Sequence, residues 1–182
     1  HAEGRSTLSS GQGSHSEGWF TTASGGGSHA EGHSGIASGD GSHAEGFSTV
    51  ASGDFSHAEG NSTTATGVNA HAEGDGNTAY GINSHAGGSG SIAFRDTSFV
   101  HSRNSLVTGE RSAILGGGGI TGTTDDTVYV PFLNIKNIAA GTSLNNLGID
   151  VDGNVVTGTT GGSGDFLPLT GGTVSGTTLP VL

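Results

Sequence analysis

The chain has 182 residues, 37 of them glycine, with 12% charged residues and a net charge of −11. Five Lys and Arg in all cannot form the clustered bases that phosphate neutralisation requires, so nucleic acid is set aside as a partner. With no cysteine there are neither disulfides nor thiolate metal ligands, and no apolar run reaches the roughly 18 residues of a membrane span, so no membrane insertion is expected.

The first element is a repeat. Histidine recurs every 14 residues at His1, His15, His29, His43, His57, His71 and His85. Each opens a four-residue word: His-Ala-Glu-Gly in five coils, His15-Ser16-Glu17-Gly18 in one, and His85-Ala86-Gly87-Gly88 in the last. Eight residues after each histidine stands a small residue (Ser9, Ala23, Ala37, Ala51, Ala65, Ala79, Ala93), and two further on comes Gly11, Gly25, Gly39, Gly53, Gly67 or Gly81, until Arg95 breaks that series. The register outlives the word through Ser98-Phe99-Val100, Leu106, Gly109, Ser112, Ala113 and Gly116. The repeat block is therefore placed at residues 1–116, about eight coils. The chain opens inside a repeat and contains no methionine, which suggests a parent polypeptide extending at least in the N-terminal direction.

Fourteen residues are too few for a helix pair, which needs about 30 or more, but suffice for two short strands and two tight turns. Alternation then assigns the faces. In the first strand Ser42, Ala44 and Gly46 point one way and His43 and Glu45 the other; in the second, Thr49, Ala51 and Gly53 oppose Ser48, Val50 and Ser52. The small residues are assigned to the interior of a thin tube. Such an interior buries little apolar surface, so a single chain is expected to be marginal and to gain stability by packing against other chains.

Beyond the repeat, 117–126 reads as a Gly/Thr linker and 127–160 as a β-rich neck. In the neck, Pro131 implies an edge or bulge, and residues 147–151 and 154–159 flank Asp152-Gly153, a hairpin signal. The Gly-rich run 158–164 reads as a flexible joint, and residues 161–182 as that joint and the start of a further fibre segment. No segment has helical periodicity, so the fold class is all-β.

The 14-residue pattern Ser-His-Ala-Glu-Gly-x-x-Thr-x-Ala-Ser-Gly-x-x resembles the head repeat of trimeric autotransporter adhesins, with His and Glu where that family has Val and Ile. The His-Ala-Glu-Gly form is similar to repeats of bacteriophage tail fibres. The segment Asp165-Phe166-Leu167-Pro168-Leu169-Thr170-Gly171-Gly172-Thr173-Val174-Ser175-Gly176 resembles a tail-fibre motif, and Thr127-Val128-Tyr129-Val130-Pro131 onward is similar to segments joining fibre shafts to tip or chaperone domains. The resemblance implies a left-handed parallel β-roll, or β-solenoid, assembled as a homotrimer. It further implies a structural, adhesive segment of a tail fibre on the virion, with two identical chains, other tail proteins and a host-surface glycan or protein as partners. The alternative is an adhesin head on a bacterial surface that binds host matrix.

The candidate site is the His/Glu face: His1, Glu3, His15, Glu17, His29, Glu31, His43, Glu45, His57, Glu59, His71 and Glu73. The preferred reading is a structural ladder in which His and Glu hydrogen-bond across chains. Two others stand beside it: a solvent-facing stripe, and an ion on a trimer axis held by His15, His29, His43, His57 and His71, since imidazole and carboxylate both ligate zinc or nickel. No cofactor is expected. Glutamates identical from coil to coil, and Asp125-Asp126, Asp150 and Asp152 in turns, do not suggest the paired carboxylates of a glycosidase, so no catalysis is expected. Trp19, Phe20, Phe47, Phe55 and Tyr80 offer a sugar platform, but the reading preferred is edge or inter-chain packing, because these aromatics are taken not to recur in register. An ice-binding threonine rank is disfavoured, since Thr7, Thr21, Thr49 and Thr63 fall to the interior and Gly35 and Asn77 interrupt them.

Overall fold

Each coil places a short strand on either side of a core of mostly small side chains. In a computed structural model describing residues 1–131 and the strands Asn146–Ile149 and Val155–Gly158, the first strands of successive coils form a ten-stranded sheet and the second strands a nine-stranded sheet. Every pairing within these two sheets is parallel and joins a residue to its counterpart one coil on, as in His43↔His57, Glu45↔Glu59 and Ala51↔Ala65. The described residues contain no helix. Residues 1–131 thus form a parallel β-solenoid of about nine coils.

The core is built from the small residues that the alternation turns inward. Ala23, Ala30, Ala37, Ala44, Ala51, Ala58, Ala65, Ala72, Ala79, Ala86 and Ala93 are fully buried, as are Thr21, Thr49 and Thr63. Several interior polar groups are used locally, while Thr49 Oγ1 and Ser56 Oγ are enclosed without a hydrogen bond. Ser28, Ser42 and Ser84 each donate to the carbonyl three residues back, at 2.8, 2.7 and 2.7 Å, closing the turn before the first strand. Asn77 replaces threonine and donates to the carbonyls of Glu73 and Gly88 at 2.6 and 2.7 Å. Toward the C-terminal coils the core widens to Val100, Val107 and Ile114, all fully buried, so Ser, Thr, Ala and Gly are not its only occupants.

Gly46 is not an interior residue, contrary to the alternation. It is exposed, with φ at +103°, and its counterparts Gly4, Gly18, Gly32, Gly60, Gly74 and Gly88 have φ between 91° and 117°. A Cβ on Gly46 would overlap the Gly60 carbonyl oxygen of the next coil, with Gly60 N at 3.0 Å. Glycine stands here because the backbone turns left-handed against a neighbouring backbone, not because the tube is narrow.

The solenoid also continues past residue 116. Thr121–Gly122 pairs with Leu106–Val107, and Val128–Tyr129 pairs with the strand Ala113–Gly118, both parallel. The offset here is 15 residues rather than 14, as in Leu106↔Thr121 and Ala113↔Val128. The extra residue enters at a β-bulge in Ala113–Gly118, where the register against His101 and Arg103 shifts. Residues 117–126 are therefore part of the last coil and not a linker, and Val128–Tyr129 is its closing strand rather than the start of a neck. Pro131, exposed, lies two residues past the end of that strand.

The second unit, 134–182, is described only through Asn146–Ile149 and Val155–Gly158, which pair antiparallel with Leu147↔Thr157 and Ile149↔Val155. The expected turn at Asp152-Gly153, the joint 161–182 and the motif at Asp165 to Gly176 lie outside the described residues.

Candidate functional site: the histidine–glutamate face

The outer face of the ten-stranded sheet carries the histidines because Ser42 and Ala44, and their counterparts, point inward on either side of them. The parallel register holds each imidazole one strand spacing from the next. His15, His29, His43, His57 and His71 form a continuous stack, with ring centroids 4.8–4.9 Å apart and planes within 2–5°. His1 meets this stack edge-on at one end, and His85 meets it edge-on at the other, at 89° to His71. Phe99 occupies the next histidine position and stacks on His85 at 4.7 Å.

The glutamates stand beside the stack and reach forward one coil. Glu17 Oε1 lies 3.7 Å from His29 Nε2, Glu31 3.5 Å from His43, Glu45 3.9 Å from His57, Glu59 3.2 Å from His71 and Glu73 3.3 Å from His85. Glu45 also reaches back to His43 at 3.9 Å through its other oxygen, and Glu3 pairs with His1. The glutamate backbone is fixed from inside the tube, where Thr21 and Thr63 donate to the carbonyls of Glu17 and Glu59 at 3.0 and 3.1 Å. All twelve ladder residues named from the sequence thus lie on one face.

The face is half-buried in the single chain and incompletely satisfied. Nε2 of His15, His29, His43, His57 and His85 is enclosed yet makes no hydrogen bond. Burial holds the His57 imidazole below its ordinary pKa, reinforced by His43 and His71, and burial with His71 does the same to His85. Among the carboxylates, the hydrogen bond to Glu45 raises the Glu31 pKa, with burial adding to it, and the same hydrogen bond lowers that of Glu45. Imidazoles beside carboxylates form an array of alternating hydrogen-bonding groups. The same donor atoms can also ligate a metal, as in the groups His43/Glu45/His57 and His57/Glu59/His71, whose ligand atoms lie within 4.8 Å of one another.

Two features escaped the sequence reading. His101 joins the face, its Nδ1 3.6 Å from Glu73 Oε1; the only signal was its position, 14 residues beyond Gly87. The aromatics, moreover, do recur in register. Trp19, His33 and Phe47 fall in one column beside the ladder through parallel bridges, with centroids 6.2 and 5.0 Å apart and Arg5 over the Trp19 ring at 5.8 Å. Tyr80 and Phe94 form a second pair at 5.6 Å. Trp19, Phe20, Phe47, Phe55 and Tyr80 are all exposed in the single chain.

The turn carboxylates act on backbone groups or on a neighbouring cation. Asp125 accepts from Glu110 N at 2.9 Å, and Asp126 accepts from Arg111 at 2.6 and 3.0 Å. A scan against protein-family models gives no match, and neither does a search of the curated proteins.

Proposed function

We propose that the chain is a structural and adhesive segment of a trimeric phage tail fibre, its His/Glu face turned toward two identical chains. One observation carries the trimeric part of this reading: in a long column of half-buried imidazoles, the enclosed Nε2 atoms of His15, His29, His43, His57 and His85 make no hydrogen bond within the chain, the glutamate oxygens beside four of them standing 3.3–3.9 Å away. Buried polar groups are paired in stable proteins, and a unit repeated along an axis is best completed by the same unit from neighbouring chains. The core supports it as well, since a buried alanine methyl contributes only about 0.8 kcal/mol. In this reading the backbone ladders supply rigidity along the fibre, and the exposed aromatic columns are available to a host-surface glycan or protein.

Assignment to a virion appendage rests on the likeness of the His-Ala-Glu-Gly word and the Leu-Pro-Leu-Thr-Gly-Gly-Thr segment to tail-fibre sequences. The adhesin head on a bacterial surface is the second reading, supported by the 14-residue spacing common to both. An antibody raised against residues 1–131, applied to cells and released particles of the producing culture, separates the two. Gold label on a thin particle appendage is the expected result; label confined to the cell envelope would reject the phage assignment in favour of the adhesin.

A further inference from the structure

The ladder changes character at one coil. The glutamate position is held by Gly87, and its partner in the next strand is His101. The missing side chain makes room for that imidazole: a Cβ at residue 87 would lie 2.7 Å from His101 Nδ1 and 3.1 Å from Glu73 Oε1. One carboxylate oxygen, Glu73 Oε1, therefore has His85 Nε2 at 3.3 Å and His101 Nδ1 at 3.6 Å. In the regular coils no single carboxylate oxygen lies within 4.0 Å of two imidazoles; Glu59 reaches only His71, at 3.2 Å. Glu45 offers a different oxygen to each of His43 and His57, both at 3.9 Å.

We infer that Glu73, His85 and His101 form a binding site for one divalent transition-metal ion of the zinc or nickel class. Two imidazoles and a carboxylate are a donor set that such ions take, with further positions left to water or another ligand. Ligand atoms about 2.1 Å from a tetrahedral ion are about 3.4 Å apart, which the 3.3 and 3.6 Å separations at Glu73 already match. The three ligand atoms all lie within 4.8 Å, so only the edge between the two histidines has to close, by at most about 1.4 Å to reach that tetrahedral spacing. His101 can supply this movement, because its side chain is 55% exposed. His85 is the fixed member, stacked on Phe99 with its Nε2 enclosed and without a hydrogen bond. The site lies within one chain and does not depend on the trimer.

The test is calorimetric titration of the untagged, EDTA-treated full chain with Zn²⁺ alone, with circular dichroism to confirm the fold of each variant. The parent is expected to show one tight step per chain above the ladder's background. Losing even an outer partner of a ligand weakens metal binding about 10–100-fold, so His101→Ala should weaken this step by at least about tenfold. Gly87→Ala, which fills the space His101 uses, should weaken it without removing a ligand. Asp54→Asn, which removes an exposed turn carboxylate outside the ladder, should leave it intact. A His101→Ala titration that superimposes on the parent, loss of the step in Asp54→Asn, or the lack of any tight step in the parent would each overturn the assignment.

Discussion

Replacing Gly46 by alanine tests the claim that these glycines are demanded by a left-handed backbone pressed against the next coil. At φ +103° a non-glycine residue is strained by roughly 1–2 kcal/mol. The added Cβ would also overlap the Gly60 carbonyl, which is backbone and cannot rotate away. The two strands must separate locally, straining ladder bonds between them such as Ser62 N to Phe47 O, 2.8 Å, each worth about 1 kcal/mol net. The summed cost is about 3 kcal/mol. Gly27 supplies the control. Its φ is +64°, nothing lies within 4 Å of its Cβ direction, and Phe55 and Asn69 occupy the same turn position elsewhere with φ near +57°. Gly27→Ala should therefore cost only about 1 kcal/mol, the left-handed strain partly offset by a less flexible unfolded chain. Urea unfolding at fixed protein concentration, followed by far-ultraviolet circular dichroism, measures both. Equal losses for the two variants would refute the reasoning.

Stability should also fall on acidification. His57 and His85 have folded pKa values below the ordinary 6.5, so the unfolded chain binds more protons between the two values. Their contribution is complete above pH 6.5 and is lost as the pH drops through the depressed folded values. His57 faces His43, His71, Glu45 and Glu59, and His85 faces His71, Glu73 and His101; Glu31 and Glu45 shift in opposite senses and offset each other at lower pH. Thermal unfolding should thus be flat from pH 9 to 7 and fall toward pH 5, by less in a His57→Gln/His85→Gln variant; a midpoint that rises on acidification would contradict this. In the widened end of the core, Ile114→Ala removes the largest fully buried side chain and should cost about 2–4 kcal/mol by denaturant titration. A loss below about 1 kcal/mol would mean that the last coils are not packed as described.

The repeat made much of this architecture readable, because side-chain size alternates in step with the strand. Ala44 and Thr49 had to share an interior that His43 and Glu45 could not enter, and the structure places them so. Gly46 was misread because a residue without a side chain does not reveal its face; only its φ shows why it is glycine. The end of the solenoid was placed too early because a single extra residue in the Gly116–Gly119 region moves the pattern from 14 to 15. A bulge absorbs that residue, and a fixed-period reading breaks at it. His101 was hidden for a different reason: its word is Phe99-Val100-His101, so only register connects it to the glutamate column. The Trp19–His33–Phe47 column was overlooked because its middle member is a histidine outside the main series.

The central claim is that the His/Glu face is completed by two further copies of the chain. Sedimentation equilibrium of the untagged protein at neutral pH tests it most directly. The account predicts a single species at three times the 17.7 kDa chain mass. A folded species at 17.7 kDa, with the circular dichroism of a complete β-solenoid, would contradict it.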